Sequence, residues 1–130
     1  SVGIPFYRDI EHVRHAIDSV LAQSFADFEL IIIDDHSPED LSSILAGYGD
    51  ARIRGFRNPE NLGAAGNWNR CLQEARGRYF KLLPMNDILA PDCLKKQVEI
   101  LANDVGENIA LVFCRRSAAP LRAFRNKPDR

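Results

Sequence analysis

Two acidic segments hold the residues best suited to chemistry. Ile31-Ile32-Ile33-Asp34-Asp35-His36-Ser37 sets adjacent carboxylates at the end of an apolar, β-branched run. Lys81-Leu82-Leu83-Pro84-Met85-Asn86-Asp87 ends a second such run, with Asp87 fifty-two residues beyond Asp35. Neighbouring carboxylates repel, a cost that a cation or a hydrogen-bonding ligand offsets. Carboxylate and amide oxygens are hard ligands that suit Mg²⁺ or Mn²⁺. In an open α/β sheet the carboxyl ends of the strands share one crevice, where ligands sit. The two segments therefore read as a polar site for a nucleotide and a divalent cation. A plainer use stays open for each. Acids beside a helix N-terminus gain about 0.3–1 kcal/mol, so Asp34 and Asp35 could serve the turn at Ser37, and Asn86 and Asp87 could cap the turn before Pro91.

The remaining reactive residues exclude several alternatives. No GxGxxG or GxxxxGK[ST] loop follows the first apolar run, where Pro5-Phe6-Tyr7-Arg8-Asp9 stands instead, which disfavours dinucleotide and P-loop mechanisms. Tyr7 suits either stacking on a base or covering the end of a sheet. His12, His15 and His36 show no metal-ligand spacing, and His12 and His15 fall on the exposed side of a helix. Cys71, Cys93 and Cys114 are odd in number and lack metal spacing, so they read as free thiols within apolar patterns. Trp68 reads as a core contact.

Elements that alternate in hydrophobic period position these residues. Val2 to Phe6 predicts a first strand, with Pro5 near its end. Asp9 caps a helix whose apolar stripe is Ile10, Val13, Ile17, Val20 and Leu21. Phe28 to Ile33 predicts a central parallel strand covered on both faces. Ser37-Pro38-Glu39-Asp40 offers a cap, a proline at the first helical position and an acid three residues after the cap, ahead of a stripe of Leu41, Ile44, Leu45 and Tyr48. Ala51 to Arg57 predicts a strand near a sheet edge, with Ile53 inward. The turn-rich Asn58-Pro59-Glu60-Asn61-Leu62-Gly63 leads into a helix with Ala65, Trp68, Leu72 and Ala75 on one face, ended by Gly77. A strand over 78–83, a helix opened by Pro91 with Leu94, Val98 and Leu101, and a fifth strand over 109–113 complete the pattern. This βα alternation predicts a parallel sheet with helices on both faces.

With 130 residues, 45% apolar and 27% charged, the chain suits one soluble domain with a real core. A net charge of −1 gives no reason to expect nucleic acid or a membrane as partner. Its distribution is uneven: from Arg115 to Arg130 six cations face one acid, a balance of +5 that leaves −6 for residues 1–114. The expected organisation is an α/β domain over 1–114 and a basic segment over 115–130. No run of about 18 apolar residues and no signal peptide is visible.

These pieces resemble the nucleotide-binding half of a family 2 glycosyltransferase with the GT-A fold. The resemblance rests on Val2-Gly3-Ile4-Pro5-Phe6-Tyr7, on Ser19-Val20-Leu21-Ala22-Gln23-Ser24-Phe25, on Phe28 to Ser37, and on Asn61-Leu62-Gly63 with Asn67. It continues through Ala75-Arg76-Gly77-Arg78-Tyr79 and Leu83 to Pro91, reaching about residue 113. It implies a three-layer α/β/α sandwich with a mostly parallel sheet, the nucleotide-diphospho-sugar transferase fold, in truncated form. It further implies a nucleotide-sugar donor, foremost a UDP-sugar, and a saccharide or lipid-linked acceptor in bacterial surface polysaccharide synthesis. The resemblance implies a cytoplasmic place for that work, with a peripheral position at the inner face of the membrane as one arrangement open to the full-length protein.

By the same resemblance Pro5 and Tyr7 would line the base pocket, Asp35 would bond the base edge and Asp34 would support it. Asn61, Gly63 and Asn67 would lie beside the nucleotide. Asp87, with Asn86 as a second candidate, would help hold a Mg²⁺ or Mn²⁺ that bridges the diphosphate. Related proteins commonly carry acids where Pro84 and Asn86 stand here. The catalytic base is expected beyond Arg130, in an acceptor-binding part that the basic segment would begin. Two rivals stay open: a nucleotidyltransferase, and a non-catalytic binding module with an eroded metal site.

Overall fold

A computed structural model of the chain describes residues 1–106, 108, 109, 111 and 112. Among them lie strands β1 (Val2–Phe6), β2 (Leu30–Asp34), β3 (Ile53–Arg57) and β4 (Lys81–Leu82), and helices α1 (Ile10–Leu21), α2 (Leu41–Tyr48), α3 (Gly63–Glu74) and α4 (Cys93–Ala102). The strands are parallel, in the order β3-β2-β1-β4. The chain steps outward from β1 to β3 and then returns to the other side of β1. Strand order thus reverses between β1 and β4, the place where such a sheet opens its ligand crevice.

Side-chain alternation along the two central strands divides the core. Ile4, Phe6, Leu30 and Ile32 pack with Val13, Ala16, Ile17 and Val20 of α1, Leu41 of α2 and Leu94 of α4. Ile31 and Ile33 point the other way and meet Cys71 of α3, flanked by Phe56, Phe80 and Leu82. Helices cover both faces, giving the three-layer α/β/α sandwich. Every residue of β2 is buried, which is why its sequence is a continuous apolar run rather than an alternating one.

Helix α3 departs from the expected orientation. Trp68 and Leu72 are 45% and 55% exposed, while Asn67 and Cys71 are buried against the sheet. The cause is close approach: a Cβ added at Gly3 of β1 would lie 2.8 Å from Cys71 Cβ and 3.0 Å from the Phe80 ring. Only small side chains fit between helix and strand there, so the indole is turned out to the surface. Burial also pushes the Cys71 thiol up to about 12, which leaves it an unreactive packing group. Cys93 is half-buried, and Cys114 lies outside the described residues.

Other boundaries move for local reasons. Asp9 caps α1 as expected, accepting from His12 N at 3.2 Å, and His12 and His15 are half-exposed. Helix α2 begins at Leu41 rather than Pro38, capped by Asp40, whose carboxylate accepts from Ser42 N and Ser43 N. Ser37 Oγ instead accepts from Arg8 N at 3.0 Å and, more weakly, from Glu39 N at 3.4 Å, while its backbone is held by Asp34 and Arg57. Helix α3 ends at Glu74, before Gly77, and α4 is preceded by Asp92. Strand β4 is shorter than the expected 78–83, although Leu83 N still donates to Gly3 O at 2.9 Å. Of the expected fifth strand, Ile109, Leu111 and Val112 are not in strand conformation, and Ala110 and Phe113 lie outside the described residues.

A polar clamp supports the opposite, amino end of the sheet. Glu29 accepts from Ser1 Oγ and Arg76 N, each at 2.6 Å, and from Arg54 Nη1 at 2.7 Å. Burial works against its ionisation, but these three donors prevail and hold its carboxyl down at about 2.

Candidate functional site

At the carboxyl edge, backbone bonds continue past the strands and align the loops. Asp35 N donates to Phe6 O at 2.8 Å, and Asn58 N donates to Asp34 O at 2.7 Å. Tyr7, Asp34, Asp35, Arg57 and Asn58 are thereby brought to one edge, with the turn after β4 on the far side of β1. Non-glycine residues with positive φ mark this edge: Arg8 at 57°, Asp9 at 66° and His36 at 58°. Such conformations cost of order 1–3 kcal/mol each and persist where surrounding bonds enforce them. Arg8 N donates to Ser37 Oγ at 3.0 Å, and His36 Nδ1 lies 3.2 Å from Asn58 O.

The two adjacent aspartates are both buried but differ in what they leave open. Asp34 accepts from Ser37 N at 2.7 Å through Oδ1 and from Arg57 Nη1 at 2.5 Å through Oδ2. Arg57 Nη2 also donates to Ser37 O at 2.8 Å, so Asp34 and Arg57 together fix the turn. Asp35, 2% exposed, accepts through Oδ1 alone, from Asn58 Nδ2 at 2.7 Å and Leu62 N at 2.8 Å. Its Oδ2 has no protein partner among the described residues. The repulsion expected between neighbouring carboxylates is thus relieved by separate sets of donors.

Beneath Asp35 lies a network of amides. Asn67 Nδ2 donates to Ile33 O at 3.1 Å and Phe6 O at 3.4 Å, and its Oδ1 accepts from Asn58 Nδ2 at 3.2 Å. Asn67 therefore ties α3 to the ends of β1 and β2, its polar atoms committed to protein. Asn61 Nδ2 donates to Asp35 O at 3.1 Å, and Asn61 Oδ1 accepts from Gly63 N at 3.1 Å. That turn needs φ 72° at Gly63, a conformation costly for any residue with a Cβ. Pro5 is buried within β1, whereas Tyr7 is 39% exposed with the Arg8 guanidinium 5.1 Å from its ring centre.

Sequence reasoning missed Asn58 and Arg70. Asn58 is 1% exposed, and Arg70 Nη1 donates to its Oδ1 at 2.6 Å and to Arg57 O at 3.1 Å. Their one available signal was position: Asn58 directly follows the last residue of β3, level with Asp35 across the edge.

Asp87 sits half-buried on the turn after β4, its N–H donating to Pro84 O at 2.9 Å, and Asn86 beside it is exposed. Among the described residues, no cluster of three or more His, Cys, Asp or Glu side chains suits a metal ion. The far end of this loop is anchored to α1. Gln23 Nε2 donates to Ala90 O at 2.7 Å and Ser19 O at 3.0 Å, while its Oε1 accepts from Leu94 N at 3.0 Å. Leu89 N donates to Ser19 Oγ at 3.1 Å, and Ser24 N donates to Pro91 O at 2.9 Å.

Residues 1–127 match the family described as Glycosyl transferase family 2. The chain belongs to this family. Over 114 residues it is 32% identical to an uncharacterized glycosyltransferase of Rickettsia prowazekii, RP339, covering 88% of this chain and 35% of the relative. Over 113 residues it is 30% identical to the Escherichia coli UDP-Glc:alpha-D-GlcNAc-diphosphoundecaprenol beta-1,3-glucosyltransferase WfgD, covering 87% of this chain and 44% of that protein. In fold it is similar to S. aureus TarS 1-349 in complex with UDP-GlcNAc, with a TM-score of 0.72 at 21% identity over 78% of this chain and 30% of that one. The family 2 chain described here spans about a third of the length of the first curated relatives it matches. Among its described residues, no helix is long and apolar enough to cross a membrane.

Proposed function

We propose that the carboxyl edge of the sheet binds the nucleoside diphosphate of a sugar donor, foremost a UDP-sugar. The whole protein then transfers the sugar to a saccharide or lipid-linked acceptor, working at the cytoplasmic side of the membrane in surface polysaccharide synthesis. The observation that carries this reading is Asp35, a buried carboxylate at the strand-end crevice with Oδ1 tied down by two donors and Oδ2 without a partner among the described residues. A fixed acceptor of this kind suits a base edge that presents a ring N–H, as uracil does. Tyr7 offers a half-exposed aromatic face for stacking, next to Pro5. Asn61 and Gly63 shape the loop beside the base, and Asp34 and Asn67 hold the strand ends from behind. The names of WfgD and of the TarS complex, both of which include a UDP-sugar, support the donor class.

Asp87 and Asn86 fit a cation that draws most of its ligands from diphosphate and water, since one carboxylate and one amide oxygen are both hard donors. When bound, Mg²⁺ or Mn²⁺ would neutralise charge on the departing diphosphate. Calorimetric titration of the 130-residue chain with UDP, GDP and ADP, with and without Mn²⁺, tests the reading. The expected result is UDP binding that tightens with Mn²⁺. Failure of every nucleotide to bind under either condition contradicts it.

A further inference from the structure

We propose that Arg70 acts through Asn58 as a positioning residue that sets which bases Asp35 accepts. The inference rests on the base-site reading above and concerns residues to which that reading gives no role. An asparagine amide has two orientations of nearly equal shape, one presenting its NH₂ and the other its oxygen. Arg70 enforces at Asn58 the same orientation that the Asp35 carboxylate, which can only accept, selects from the other side. A guanidinium can only donate, so Arg70 Nη1, 2.6 Å from Asn58 Oδ1, requires the oxygen on its own side. Asn58 Nδ2 is then directed to Asp35 Oδ1 at 2.7 Å and Asn67 Oδ1 at 3.2 Å.

The reverse orientation would set an amide oxygen against the Asp35 carboxylate and an NH₂ against the guanidinium. With Leu62 N as the second donor to Oδ1, the carboxylate is fixed with Oδ2 left over. The site therefore presents a single rigid acceptor. A single acceptor favours a base with a ring N–H over one with a ring nitrogen lone pair at the same place, because two acceptors facing each other leave both unbonded. Arg70 itself is held by Arg57 O at 3.1 Å and lies 3.9 Å from Glu74, so its guanidinium is preorganised.

The test compares UDP with CDP, whose rings differ at N3 in this sense, on the wild-type chain and on Arg70→Met and Arg70→Lys. Thermal midpoints are recorded for all three. Wild type is expected to prefer UDP by about tenfold or more, the scale of one hydrogen bond to a charged group. Arg70→Met is expected to lose most of that ratio, and Arg70→Lys, which keeps a donor and a charge, to recover part of it. A merely structural role would lower the thermal midpoint and weaken both nucleotides equally, and an unchanged UDP to CDP ratio in Arg70→Met overturns the inference alone. If wild type binds neither nucleotide, the base-site reading fails and the inference falls with it.

Discussion

At the residue scale, the two acidic segments differ in how complete they are. Asp34 and Asp35 have their charges distributed over Ser37 N, Arg57, Asn58 and Leu62 N, so the pair is built into the fold before any ligand arrives. The acids that the family resemblance leads one to expect at Pro84 and Asn86 are absent beside Asp87, and an amide oxygen brings a ligand without charge. Asn86→Asp is therefore expected to strengthen Mn²⁺-dependent UDP binding several-fold while leaving metal-free binding unchanged, measured by calorimetry. No gain would mean that the present ligand set is sufficient or that the cation sits elsewhere. The acids themselves were legible because each ends an apolar run. Asn58 and Arg70 were not, because an asparagine in a turn-rich stretch looks like any turn former until its partners, 23 and 12 residues away, are known.

At the element scale, the metal-candidate loop depends on α1. Two hydrogen bonds of the buried Gln23 side chain, one donated to Ala90 O and one accepted from Leu94 N, together with Ser19 Oγ and Ser24 N, fasten residues 89–94 to the C-terminal end of that helix. Replacing Gln23 by Ala takes away the side-chain acceptor of the buried Leu94 N–H, at a cost of about 1–3 kcal/mol. Gln23→Ala is expected to lower stability by that amount in urea denaturation and to weaken the Mn²⁺ enhancement of UDP binding more than metal-free binding. Equal loss of both would mean that the helix does not position the loop. Strands β1 and β3 and most helices could be read from periodicity, and β2 from its unbroken apolar run, whereas the strand expected over 78–83 is reduced to Lys81–Leu82 and the one expected over 109–113 does not appear among the described residues. The orientation of α3 could not, since the tight fit at Gly3 against Cys71 decides it and no pattern within the helix encodes a partner's missing Cβ.

At the scale of the whole molecule, the parallel sheet, the reversal of strand order at β1 and β4, and the placement of Asp34 and Asp35 at its carboxyl edge belong to a single layout. That layout was legible because alternating βα elements admit few topologies. What lay beyond the sequence was where space is left open. A cavity of about 1010 Å³ lies at the other end of the sheet, lined by Phe25, Phe28, Phe80, Leu82 and Leu101 beside Ser1 and Tyr79. Its aromatic and aliphatic lining is mixed with charged side chains such as Asp27, Glu29, Arg76 and Lys81, it is distant along the strands from Asp35, and it bears none of the predicted site residues, so volume and predicted chemistry point to opposite ends. Backbone amide shifts of the ¹⁵N-labelled chain on titration with UDP and Mn²⁺ distinguish them directly. The account predicts the largest perturbations at Tyr7, Asp35, Leu62, Gly63 and Asp87. Perturbations centred on Phe28, Tyr79 and Leu101, or none at all, would contradict it.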